Sequence, residues 1–66
     1  MKRYLIKGQS GKIEFFDIIS EDDWGYNIRL TRIMDGNEKI TETSMTRHLF
    51  NLCLKSGYIY EFGTAA

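Results

Sequence analysis

A thiolate nucleophile needs a general base within hydrogen-bond reach, and the chain offers one thiol, Cys53, and one imidazole, His48. On a shared helix, five positions place two side chains about 140° apart, so the pair cannot meet within one protomer. Cys53 therefore reads as a core cysteine and His48 as a boundary residue. Cysteine–histidine chemistry would need Cys53 of one subunit and His48 of another. A lone cysteine also excludes an internal disulfide and a thiolate-rich zinc site. No glycine pattern cradles phosphate, and no Ser, His and Asp arrangement suggests a triad. The expectation is no catalytic set, no metal and no cofactor.

Two polar groups could bind rather than react. Glu21, Asp22 and Asp23, with Asp17 nearby, carry the oxygen ligands that hard cations prefer. Their spacing is not that of a calcium loop, and adjacent carboxylates in a turn diverge, so a solvated acidic turn over Ser20 to Asp23 is expected. Arg29, Thr31 and Asn27 share the polar side of one strand, with Arg32 close by. Arginines holding phosphates beside exposed aromatics are the means by which sheet surfaces bind single-stranded nucleic acid. Trp24 and Tyr26, however, alternate in phase with Ile28 and Leu30, which assigns them to the core. Tyr58, Tyr60 and Phe62 are assigned to the core as well.

The elements that position these residues follow from periodicity and turn chemistry. A short strand around Tyr4 and Ile6 ends at Gly8 to Gly11. A second runs from Lys12 to about Ser20. Its parity slips, with Ile13 and Phe15 on one face and Phe16 and Ile18 on the other. Either a β-bulge near Phe15 explains this, or the strand needs cover on both faces. Trp24 to Thr31 alternates cleanly with period two. Asp35, Gly36 and Asn37 supply the residues of a tight hairpin. Glu38 to Thr43, polar apart from Ile40, then reads as a charged edge strand.

Ser44 is the expected N-cap of a helix over Met45 to Lys55, with Gly57 as its left-handed C-cap. Its apolar members, Met45, Leu49, Phe50, Leu52, Cys53 and Leu54, span roughly 200° of the circumference at 100° per residue. That is wide for a helix on a single sheet. Arg47, Asn51 and Lys55 form the narrow polar stripe, flanked by His48. Phe50 and Leu54 at the margin are expected to stay partly exposed, and with Arg47 and Asn51 they make a candidate protein-interaction surface. Tyr58 to Phe62 is the last strand.

The order β-β-β-β-α-β gives an α+β fold: a small antiparallel sheet of about five strands, curled or partly barrel-like, packed on one C-terminal helix. A single domain over residues 1–62 and a mobile tail over 63–66 are expected. With 66 residues, such a domain buries only about 60% of its unfolded surface. Nine Lys and Arg balance nine Asp and Glu, so no net field draws the chain to nucleic acid or to anionic lipid. No export signal or membrane-length apolar run is present, and the cytoplasm is the expected compartment.

The four strands and helix over about residues 12 to 55 resemble the layout of the transcriptional coactivator family of single-stranded DNA binders, which dimerise through their helices. The strand order also resembles SH3-like barrels. Both likenesses are topological, and neither carries function. The functional expectation is a non-catalytic protein-interaction module that forms a homodimer or docks on another protein. Single-stranded nucleic-acid binding through Arg29, Arg32, Asn27 and Thr31 is the alternative.

Overall fold

The computed structural model describes residues 2–8 and 11–62. The tail expected over 63–66 lies outside the described residues. The chain forms β1 (Arg3–Ile6), β2 (Lys12–Asp22), β3 (Gly25–Met34), β4 (Asn37–Thr46), α1 (Arg47–Ser56) and β5 (Ile59–Glu61). All neighbouring strands pair antiparallel in one sheet of order β4-β3-β2-β1-β5. The sheet is open, with β4 and β5 as its two edges, so it does not close into a barrel.

The β3–β4 hairpin forms as its residues dictate. Met34 pairs with Asn37 across a two-residue loop in which Asp35 (φ 53°) and Gly36 (φ 79°) both adopt left-handed geometry, the combination a type I′ turn requires. The acidic turn, by contrast, is shorter than expected. Ser20, Glu21 and Asp22 continue the ladder of β2 opposite Asn27, Tyr26 and Gly25. This leaves only Asp23 and Trp24 to turn the chain, so Trp24 is exposed and not part of the core.

The bulge falls at Ile19, where the register shifts between Ile18 and Ser20, and not at Phe15. The parity slip at Phe15 is real two-sidedness. Phe16 and Ile18 face the helix side, while Ile13 and Phe15 face the other.

Strand β4 runs three residues beyond its expected end. Gly25 pairs with Thr46 and Tyr26 with Met45, so the ladder claims the backbone that would have started the helix. Thr46, not Ser44, is consequently the N-cap. Its backbone is extended and its Oγ1 accepts from the Leu49 amide at 3.2 Å. No loop separates strand from helix, and Gly25 makes the reversal possible: a Cβ there would lie 2.9 Å from both the Arg47 amide nitrogen and the Thr46 Cα, and closer still to the Met45 carbonyl oxygen. The Arg47 amide donates to the Trp24 carbonyl at 3.2 Å. At its other end α1 closes in a Schellman motif, with Gly57 donating to Leu54 and Tyr58 to Cys53.

The core is one aromatic cluster on the helix side of the sheet. Phe50 packs edge-on to Tyr4 at 5.1 Å between centroids and tilted against Tyr26 at 4.6 Å, while Tyr4 stacks on Phe16 at 5.5 Å. Ile28 and Ile59 complete it, with Ile6, Ile18, Leu30, Met45 and Cys53 packed around. The expectation that Phe50 sits at an exposed helix margin is corrected here, since it is 5% exposed. Starting the helix at Arg47 rotates Phe50 to the centre of the buried arc and leaves Leu49, Leu52 and Leu54 outside. The last strand is also inverted relative to expectation. Ile59 enters the core, and Tyr58, Tyr60 and Phe62 are each about half exposed.

Candidate interaction surface

Cross-strand register, read one rung at a time, shows what each side of the sheet presents. On the side away from α1, one rung runs Arg3, Asp17, Arg29, Glu42 across β1, β2, β3 and β4. The signs alternate. The Arg3 guanidinium grips Asp17 through two bonds, Nε to Oδ1 at 2.7 Å and Nη2 to Oδ2 at 3.0 Å. That bidentate bond holds the Asp17 carboxyl below its ordinary range against an opposing desolvation effect. Arg29 donates to Glu42 Oε2 from Nε at 3.3 Å and Nη2 at 3.2 Å.

The neighbouring rung on this side is Tyr60, Leu5, Phe15, Thr31 and Ile40, spanning all five strands. Beyond it Ile13 faces Ile33. Ile13 (54%), Ile40 (55%) and Tyr60 (52%) are more than half exposed, while Leu5, Phe15 and Ile33 are half-buried. Arg3 lies 4.3 Å above the Phe15 ring, so its cation covers the edge of the apolar band. On the far side of the charged rung, Asn27 donates to Ser20 Oγ at 2.9 Å and to Asp22 Oδ2 at 2.8 Å. Among the described residues no element packs on this face; α1 sits on the other.

The residues proposed from sequence are distributed differently from expectation. Arg29 and Asn27 do lie on this open face, but Arg32 projects on the helix side, where its Nε donates to Glu14 Oε2 at 2.8 Å. Thr31 is buried, 4% exposed, between Phe15 and Ile40. The four therefore do not form one binding platform. Arg47 lies along the β2–β3 turn with its side chain partly exposed. It bonds Glu21 at 2.8 Å and the Asp22 carbonyl at 2.7 Å, and its guanidinium lies 5.2 Å from the Tyr26 ring centroid. Asn51 and Leu54 remain exposed on α1.

The acidic residues are likewise separated, with Asp17 held by Arg3, Glu21 by Arg47 and Asp22 by Asn27. Among the described residues, no three His, Cys, Asp or Glu side chains converge as a metal site. Nor is any helix long and apolar enough to cross a membrane.

The sequence already held part of the signal for this face. Ile13, Phe15, Ile33 and Ile40 fall on alternate positions of their strands, but alternation within one strand does not say which residues stand beside one another across the ladder.

A protein-family model matches residues 1–65. The chain belongs to that family. An uncharacterized protein of Treponema pallidum (strain Nichols) is 37% identical over 59 residues, which is 89% of this chain and 30% of the relative. The chain thus spans under a third of the length of the curated relative it matches. No solved structure matches it.

Proposed function

We propose that this domain is a non-catalytic protein-interaction module that docks through the open face of its sheet. The observation that carries the reading is the continuous apolar band of Leu5, Ile13, Phe15, Ile33, Ile40 and Tyr60 on a face that no described element covers. Exposed apolar surface of this extent, edged by a charged rung, is the anatomy of a contact site. Sheets bury such faces against another sheet or against helices. The helix margin contributes less than its sequence suggested, because Phe50 is consumed by the core.

Cys53 is half-buried and His48 exposed on the same short helix, which supports a non-catalytic role. Single-stranded nucleic-acid binding finds weaker support. Phe15 and Tyr60 could stack bases, but Arg3 and Arg29 are both engaged by carboxylates and Arg32 is on the opposite side.

Photo-crosslinking in cells tests the docking reading. A benzophenone side chain placed at Ile13 or Ile40 should yield discrete protein adducts, whereas one at Lys55 on the helix should not. Equal adducts from all three positions, or none from the sheet, would overturn it.

A further inference from the structure

We infer that the partner on this face is a second copy of the same chain, packed face to face about a two-fold axis that runs parallel to the strands, midway between β2 and β3. The inference rests on the docking reading and names its occupant.

It follows from the order of charges along one rung. From β1 to β4 the side chains read Arg3, Asp17, Arg29, Glu42, positive, negative, positive, negative. An alternation of four is antisymmetric about its midpoint. A two-fold axis along the strand direction, lying between the two sheets at that midpoint, exchanges β2 with β3 and β1 with β4. Asp17 then faces Arg29 of the second copy, and Arg3 faces Glu42. An axis running across the strands at this rung would instead set Arg29 against Arg29 and Asp17 against Asp17, like against like.

The apolar rungs obey the same operation. Ile13 meets Ile33 of the other copy, Leu5 meets Ile40, and Phe15 meets Thr31. The first two matches are apolar on apolar, and the third sets a ring against a threonine that its own neighbours already bury. Isologous contact requires just this kind of self-complementarity.

The dimensions set the strength. Four strands, β1 to β4, overlap about this axis, and at about 4.8 Å between strands and about 3.3 Å for each of some seven residues the contact is about 19 by 23 Å in plan. That is smaller than the ~800 Å² per partner of a standard interface and corresponds to a weak, concentration-dependent dimer. Two sheets at about 10 Å separation, with the strands of the two copies near parallel, would form an aligned sandwich whose core is the apolar band. The charged rung lies at one end of that band, beside the polar residues Ser20 and Asn27, so its ion pairs stay near water and avoid full desolvation.

Sedimentation equilibrium on the whole chain is the test, with three variants whose fold is checked by amide NMR. The wild type should dimerise. Arg29→Glu places a carboxylate against Asp17 of the other copy, twice per dimer by symmetry, and should weaken self-association at least about tenfold. The full inversion R3E/D17R/R29E/E42R keeps the alternation within each chain. It should dimerise with itself yet fail to exchange with labelled wild type in a fluorescence energy-transfer assay. Ile13→Lys, at a half-exposed position that leaves the fold intact, should be monomeric.

Free exchange between inverted and wild-type chains would overturn the axis, and a wild type that stays monomeric at about 1 mM would overturn self-pairing altogether. A monomer that still gives adducts of another mass from Ile13 and Ile40 in cells refutes the second copy and leaves the docking reading standing. A monomer without adducts refutes both.

Discussion

Replacing Gly25 by alanine isolates one steric event. The added methyl would approach the Arg47 amide nitrogen and the Thr46 Cα to 2.9 Å and the Met45 carbonyl oxygen more closely still. All three are backbone atoms, so no rotamer change relieves the contact. Overpacking of this kind costs ~1–3 kcal/mol where side chains can adjust, and here the upper end applies. Displacing β4 from β3 also strains the Arg47 to Trp24 backbone bond, worth about 1 kcal/mol. A loss of about 3–4 kcal/mol is therefore expected, a large part of the stability of a domain this size.

Gly57→Ala is the proper control. A methyl added at Gly57 would meet nothing within 4 Å, but the residue has a φ of 79°, so alanine there meets only the ~1–2 kcal/mol conformational penalty of left-handed geometry. Both substitutions restrict the unfolded chain equally, so that effect cancels in the difference. Urea unfolding followed by circular dichroism, with the slope unchanged, gives the two values from their midpoints. If Gly25→Ala costs no more than Gly57→Ala, the tight β4–α1 reversal is wrong.

Other outcomes check the remaining elements. Phe50→Ala should cost about 3–5 kcal/mol, because it removes the ring touching Tyr4, Phe16 and Tyr26. Leu52→Ala, at a half-exposed site, should stay within about 0.5 kcal/mol; similar thermal midpoints for the two would refute the helix rotation. Thr46→Ala should cost about 1 kcal/mol of helix capping and Ser44→Ala a few tenths, measured by the same urea titration. The Asp17 carboxyl has a folded pKa below its unfolded value of about 3.9. Its contribution to stability is thus fully present above that value and lost as pH falls through the lower folded one. Melting temperatures of Asp17→Asn should lie below those of wild type at neutral pH and converge on them in strong acid. Tyr4, whose hydroxyl is pushed above its usual range chiefly by burial, should add a loss of stability as pH rises through and beyond about 10.

Strand existence and order were legible because local signals agree with global ones: period two through Tyr26, Ile28 and Leu30, and turn chemistry at Asp35 and Gly36. What failed was decided by pairing. Ser44 is a sound cap by type, but the partner strand holds its backbone in the ladder opposite Asn27. Tertiary hydrogen bonds therefore delayed the helix and moved Phe50 from margin to core. Trp24 lost its burial because Asp22 pairs with Gly25, putting Trp24 in the turn. In the last strand, aromatic content suggested burial for Tyr58, Tyr60 and Phe62. The pairing of Ile59 with Ile6 decides instead which parity faces the helix. The open face needed knowledge of which residues stand opposite one another, and single-strand patterns do not carry that.

Strand β5 is three residues long and pairs only with β1, itself four residues long, whereas β2, β3 and β4 form a long local meander. The sheet therefore has two clocks. Opening β5 breaks few bonds, among them Phe62 to the Arg3 carbonyl and Lys7 to the Tyr58 carbonyl, so its amides should exchange with solvent through local fraying while those of β3 wait for global unfolding. Tyr60 rides on the fast part, which makes one flank of the open face a hinged rim that an occupant would have to hold shut. Slowed exchange at Phe62 and Lys7, with β3 unchanged, would then be the kinetic signature of an occupied face.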